Sequence, residues 1–392
     1  MSSVPEIKVI VSCSTKFHAF ALAEQMEKHC ILECFFTSYS SIKNPIAKHF
    51  ISRRDREKIA PQNIATNLLI AVGIKLYKNP FFWNSLFDRW VARQIKHSSA
   101  DIFIGWSGMS EYSIRAAKKK GMLTILERGS SHISYQNEVL KDEYKRFGID
   151  FSIQKEKIEK EVIEYQACDF ISIASTFVQR SFIKKGVDRQ KLILNPYGAS
   201  NDFRYIKHDF ESGKFIVLFF GGLMIRKGLV YLFEALNKLN VPKSEYEVWF
   251  IGGVKEEIKS LIEEYKRENW VFKGHVEPQN LAPLLSHGSV GIVPSIEDGF
   301  GMVVPQLLAC KVPVIVTENT GSSDLIIEGK NGFIIPIRDH KAIKKLILEL
   351  YNKPNKLKEL KAFIANNPID LSWDAYGERY ISQIRKLVKT SK

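Results

Sequence analysis

The chain has little of what marks secreted, metal-binding or membrane-spanning proteins. Only five cysteines occur in 392 residues (Cys13, Cys30, Cys34, Cys168 and Cys310), none in a Cys-x-x-Cys or Cys/His spacing. This argues against a disulfide scaffold and a structural zinc, and predicts reduced thiols in a cytoplasmic protein. There is no Asp-x-Asp pair of the kind that holds a divalent cation, so no metal is expected. The start, Met1 to Glu6, lacks the basic and apolar regions of a signal peptide. The longest run of apolar residues and glycine, 215–225, is about half of the ~20 residues a membrane-crossing helix needs. Short repeats and low-complexity linkers are also missing.

What is present in excess is positive charge. The formal net charge is +14. Between residues 42 and 98 stand 11 basic residues, among them Lys43, Lys48, Arg53, Arg54 and Arg56, against three acids. More than half of the surplus therefore sits in one early segment. The same segment carries Phe81, Phe82, Trp83, Leu86, Phe87 and Trp90, and basic residues beside aromatics suit a helix lying on an anionic membrane surface. Alternatively the aromatics are core and the charges are solvated. No nucleic-acid reader motif accompanies the charge, so nucleic acid is not expected as a partner.

A length of 392 residues suits two domains. Short β-rich apolar runs at 7–11, 31–36, 101–104, 123–126 and 170–173, with amphipathic segments between them, predict a doubly wound α/β domain over residues 1–200. The basic segment 42–98 is an insertion in it. Beyond the turn cluster Asn195-Pro196-Tyr197-Gly198 the pattern restarts, with strands at 215–220, 246–251, 270–272, 290–293, 314–316 and 333–335. This second domain spans 201–372, and residues 373–392 form an amphipathic helix that packs back toward the first. Ligands of such sheets bind at the carboxyl ends of the strands, so the cleft between the domains is the expected site.

Two turns in the second domain suit an anion. Phe219-Phe220-Gly221-Gly222-Leu223-Met224-Ile225-Arg226-Lys227-Gly228 joins a strand to a helix, with bare backbone and two cations. About 75 residues on, Ser295-Ile296-Glu297-Asp298-Gly299-Phe300-Gly301-Met302-Val303 opens a second helix. Backbone amides at such starts, approached closely through glycine, can hold a diphosphate while the acids accept from sugar hydroxyls.

These residues, together with Ala309-Cys310-Lys311-Val312-Pro313-Val314-Ile315, Gly321 and Asn331-Gly332-Phe333, resemble glycosyltransferase family 4, the retaining group with a GT-B fold. The resemblance covers most of the C-terminal half and is thinner before it. It implies a GT-B architecture, two Rossmann-like domains facing a central cleft. The family carries two glutamates around the Gly-Phe-Gly turn, the first on the donor sugar and the second on the nucleotide ribose. Here the register places Asp298 and Gln306 there, with Glu297 one residue earlier, so either acid could take the first role. Lys227 matches the family's phosphate lysine, and Arg226 could share that task. Gly221, Gly222, Gly299, Phe300, Gly301, Met302 and Val303 would line the donor. His132 resembles the family histidine beside the donor sugar, and His18 is a second candidate. Ser14, Lys16, His18, Arg128, Ser130 and Ser131 would face the acceptor, with Arg128 pairing an acidic acceptor group, Glu127 or Glu143.

The resemblance implies transfer of a hexose-type unit from a nucleotide-diphosphate sugar to a hydroxyl, with retention and without metal or resident cofactor. The acceptor is expected to be a lipid-linked saccharide or oligosaccharide of surface-polysaccharide synthesis. The expected location is the cytoplasm, peripheral on the inner face of the membrane. Two other readings stand beside it. One is a catalytically weakened sugar- or nucleotide-binding partner, suggested by Asp298 and Gln306. The other is a different GT-B enzyme, such as a sugar-nucleotide epimerase.

Overall fold

The computed structural model describes residues 7–15, 17–38, 57–59, 80–199, 202–207 and 213–390. Residues 42–56 and 60–79 of the basic insertion lie outside these, as does Lys16. Two parallel sheets organise the chain. The first holds β1 (Val9–Cys13), β2 (Leu32–Thr37), β3 (Glu57–Ile59), β4 (Ile102–Trp106), β5 (Leu123–Arg128), β6 (Phe170–Ile173) and β7 (Leu192–Leu194), in the order β3-β2-β1-β4-β5-β6-β7. The second holds β8 (Phe215–Phe220), β9 (Tyr246–Ile251), β10 (Trp270–Gly274), β11 (Val290–Val293), β12 (Val314–Thr317) and β13 (Gly332–Ile335), in the order β10-β9-β8-β11-β12-β13.

Helices cover both faces, so the central strands are buried on both sides and read as unbroken apolar runs rather than alternations. β1, β4 and β11 are buried along their whole length. β1 runs two residues later than the apolar run at 7–11, because pairing with β2 and β4 begins only at Val9. β3 and β7 are additional edge strands of three residues each, too short to leave a periodic signal.

Both sheets reverse strand order once, between β1 and β4 and between β8 and β11. Loops leave such a reversal in opposite directions and open a crevice at the strands' carboxyl ends. The β8 loop carries Gly221 to Gly228 and the β11 loop carries Ser295 to Met302, so both anion-suited turns flank one crevice. They touch through the backbone, the Ile296 amide donating to the Arg226 carbonyl at 2.9 Å. Gly228 fixes this approach. It has φ +66, and a Cβ there would run into the Pro294 carbonyl.

The Pro80–Ile95 helix resolves part of the aromatic question. Phe87, Val91 and Ile95 are fully buried, and Trp90 packs edge-on against Phe36 at 5.4 Å. These are core residues, not a membrane face. Phe82 and Leu86, on the same helix, are exposed. The Trp373–Thr390 helix lies on the first domain beside the Ala19–Lys28 helix, burying Tyr376 and Tyr380. No helix among the described residues is long and apolar enough to cross a membrane. All five cysteines are free, and all but Cys30 are buried.

Candidate active site

Arg226 and Lys227 form a single turn, Ile225–Lys227, between β8 and the Leu229–Asn237 helix. Across the crevice, the β11 loop presents Glu297 and Asp298. Lys227 Nζ bonds the Asp298 carboxylate, and both side chains keep partial exposure. Burial pushes the Asp298 carboxyl up, but the charge and hydrogen bond of Lys227, with help from Arg226 and the Phe300 amide, outweigh it and hold it below the usual range. Arg226 reaches Glu297 instead, with Nη2 2.6 Å from the carboxylate and Nε donating to the Glu297 carbonyl at 2.9 Å. Gly221 faces Val303, whose methyl lies 3.7 Å from where a Cβ would stand. Gly222 is half-buried beside it, and Met302 and Gln306 are half-buried along the start and second turn of the Val303–Ala309 helix. Lys227 with Asp298, Arg226 with Glu297 and Gly221 with Val303 thus bring the two loops into direct contact.

Glu297 departs from its expected role. It is fully buried, and both carboxylate oxygens are taken, by the Ser131 amide and hydroxyl (3.0 and 2.8 Å), Gln136 Nε2 (3.0 Å) and Arg226. It has no oxygen free for a sugar. Of the two acids, only Asp298 remains open to a ligand. Phe300 also departs from a donor-lining role. Its ring is buried in the first domain's core, 5.4 Å from Tyr197. Gly299 has a different purpose from admitting a ligand. A Cβ there would meet the Gly129 carbonyl and Ser130 Cα, so this glycine lets the domains touch. Gly301, with φ +76, turns the chain between Asp298 and Thr320.

The first-domain candidates also divide. Arg128 is buried and pairs with Glu161 at 2.6 Å, also donating to Gln136 and to the Ser131 carbonyl. Its ion-pair partner is thus Glu161, not Glu127 or Glu143. Ser131 is spent on Glu297, while Ser130 stays half-buried against Gly299. Ser14 donates to Asn84 at 2.8 Å, on the Pro80–Ile95 helix. His18 is mostly buried between Tyr197 and Trp106 and bonds Glu127 at 3.0 Å. Glu127 is itself buried and accepts from Tyr380, so the C-terminal helix supports this corner. The Glu127–His18 pair was not foreseeable, since 109 residues separate its members.

His132 is 5% exposed, packs on Tyr165 and Phe182, and caps the Ile133–Lys145 helix by accepting from the Ser134 amide. The ring is therefore not open to a donor sugar in this arrangement. Burial, with Arg128 nearby, lowers its pKa from 6.5 to about 4. The unfolded chain takes up this proton first, so stability is full above 6.5 and is lost as the pH falls toward 4. The loss should reach about 3 kcal/mol. Denaturation curves of His132→Gln should show a flatter pH slope over that window than the wild type.

Polar contacts join the domains elsewhere too. Arg338 bonds Asp142 and Glu143, both at 2.6 Å, and Tyr231 donates to Glu143. Thr176 bonds Asp324, and Ser175 donates to the Gly299 carbonyl at 2.7 Å.

Residues 202–367 match a family model, glycosyl transferases group 1. A group 1 match lies over the whole second sheet and both anion-suited turns. The chain is 25% identical over 219 residues to an uncharacterized glycosyltransferase of Methanocaldococcus jannaschii, covering 56% of this chain and 59% of that one. It is 23% identical to the capsular polysaccharide biosynthesis glycosyltransferase CapM of Staphylococcus aureus, covering 49% and 54%. The chain spans about half the length of the curated relatives it matches. Among solved structures, Anabaena HepE in complex with UDP superposes with a TM-score of 0.71 at 13% identity, over 97% of this chain and all of that one. The fold is GT-B: two Rossmann-like domains joined across a crevice.

Proposed function

We propose that this chain is a retaining, metal-independent glycosyltransferase of family 4. It would move a sugar from a nucleotide-diphosphate sugar to a hydroxyl acceptor. The observation that carries the reading is the meeting of Arg226, Lys227 and Asp298 at the switch point of the second sheet. A diphosphate seated there meets two fixed cations, and Asp298 takes the sugar-contacting role of the first family acid. Gln306 would accept from the ribose through its amide oxygen, more weakly than a carboxylate.

In this mechanism the anomeric carbon–phosphate oxygen bond breaks as the acceptor oxygen bonds the same face. The acceptor's proton passes to the departing phosphate oxygen. The protein's part is mostly electrostatic, since Lys227 and Arg226 oppose charge growing on the leaving group. Contact between the domains through Gly299 excludes water and aligns the partners.

The acceptor we propose is a lipid-linked saccharide used in surface-polysaccharide synthesis, consistent with relatives such as CapM. The basic segment around Lys43 to Arg56 would hold the protein on the inner face of the membrane. Neutralising Lys43, Lys48, Arg53, Arg54 and Arg56 should abolish co-sedimentation with anionic vesicles. Undiminished binding would remove the membrane part of the reading.

The direct test is a thermal-shift screen of UDP-, GDP- and ADP-sugars, followed by turnover assays in EDTA. One donor class should raise the melting temperature and be transferred or hydrolysed at the same rate with chelator present. Binding without turnover would favour the weakened binding partner suggested by Asp298 and Gln306. No binding of any nucleotide sugar would defeat both readings.

A further inference from the structure

Glu297 is a fully buried carboxylate that the proposed chemistry does not use, yet it has more partners than any other acid at the crevice. One oxygen accepts from the Ser131 amide and hydroxyl, and the other from Gln136 Nε2 and Arg226 Nη2. Ser131 and Gln136 belong to the first domain, and Arg226 belongs to the second. The Glu297 carbonyl takes Arg226 Nε as well. The guanidinium is thus held at two of its three nitrogens while its side chain stays 28% exposed. Gln136 is aimed in turn by Arg128, which is anchored on buried Glu161. A continuous polar chain runs from the core of the first domain to the exposed cation of the second.

A buried carboxylate is tolerable only when its acceptor sites are filled and a cation is paired with it. Here the cation comes from the same domain, whereas the other three donors, the Ser131 amide and hydroxyl and Gln136 Nε2, reach the carboxylate only when the Ser131–Gln136 segment sits against the β11 loop. A long, flexible arginine is worth most at a transition state when it is already immobilised there. Lys227 differs, since its partner Asp298 is bonded by groups of the second domain, Lys227 itself and the Phe300 amide.

We propose that Glu297 is a positioning residue that aims Arg226 at the leaving phosphate, its carboxylate being fixed for that task by Ser131 and Gln136 of the docked first domain. This rests on the reading of the crevice as a nucleotide-sugar site. It couples domain docking to charge stabilisation, and so ties the first domain's approach to donor activation.

The test is a double-mutant cycle on turnover of the active nucleotide sugar, comparing wild type, Glu297→Gln, Arg226→Ala and the pair. Gln keeps the shape but removes the negative charge paired with Arg226 and replaces one acceptor oxygen with a donor. Glu297→Gln should lower kcat at least about tenfold with little change in donor KM, and should cost less than about twofold once Arg226 is alanine. Equal losses in both backgrounds, or no loss of kcat in either, would overturn the proposal. If Glu297→Gln does not fold, Ser131→Ala in the same cycle replaces it. It should give a smaller kcat loss that likewise vanishes without Arg226, and a loss that persists there overturns the proposal. An inactive wild type with every nucleotide sugar would strike the functional reading itself, whereas an active wild type with additive losses strikes this inference alone.

Discussion

Lys227→Ala should lower kcat by about 10²–10³-fold with a much smaller change in donor KM. Lys227 closes the turn after β8 and sits on the Asp298 carboxylate, so its ammonium is held at the crevice before any ligand arrives. Its charge matters most when the sugar–phosphate bond breaks and the diphosphate gains charge. Removing it has a second consequence. Asp298 is kept ionised mainly by Lys227, against a burial that pushes its carboxyl up. Without Lys227, Asp298 either stays charged and repels the departing phosphate, or takes up a proton and loses its strength as an acceptor from the sugar. Both outcomes slow the reaction. Lys227→Arg should restore only part of the rate, since a planar guanidinium does not reproduce a compact ammonium. Steady-state kinetics with the active donor checks this, and a rate within about threefold of wild type would remove Lys227 from the chemistry.

Gly299→Ala should cut kcat/KM by about 10²-fold or more, because a misplacement of about 1 Å costs that much in an aligned site. The added methyl would meet the Gly129 carbonyl and Ser130 Cα, both backbone, with no flexible side chain to move aside. The Gly299 carbonyl is also fixed, by the Ser175 hydroxyl and by close approach of Gly321. The only relief is separation of the domains. Separation would also break Ser131 and Gln136 away from Glu297, loosening the carboxylate that positions Arg226. The substitution should therefore leave nucleoside-diphosphate binding largely intact while turnover collapses. Calorimetric titration of the nucleotide beside kinetics separates the two effects. Unchanged turnover would show that contact at Gly299 is not needed for catalysis.

The parallel sheets were legible because strands buried on both faces must be apolar throughout, and their spacing with helices leaves few other arrangements. The placement of the two anion-suited turns was legible for a related reason. Glycines and cations after β8 and β11 are local features, and the switch point brings both loops to one crevice. What could not be read is what lies across the domain boundary. Glu297 and Asp298 are adjacent and chemically alike, yet one is locked to Ser131 over 166 residues of separation and the other is open. Gly299 and Gly301 share a turn, but one serves the neighbouring domain and the other the turn itself. Arg128 and His132 follow a strand end, where ligand contacts are common, but Glu161 and the Ser134 amide claim them first. Local pattern predicts where chemistry can occur. Long-range contacts decide which of the neighbouring polar groups remain free for it.

The central claim is that Arg226 and Lys227 hold the diphosphate of a nucleotide sugar at the carboxyl ends of β8 and β11. A crystal structure of the wild-type protein with the donor that stabilises it tests this most directly. It should place phosphate oxygens within about 3 Å of Lys227 Nζ and of an Arg226 nitrogen, with Asp298 on the sugar. A nucleotide bound elsewhere, or bound here with its phosphates turned away from both cations, would contradict the account.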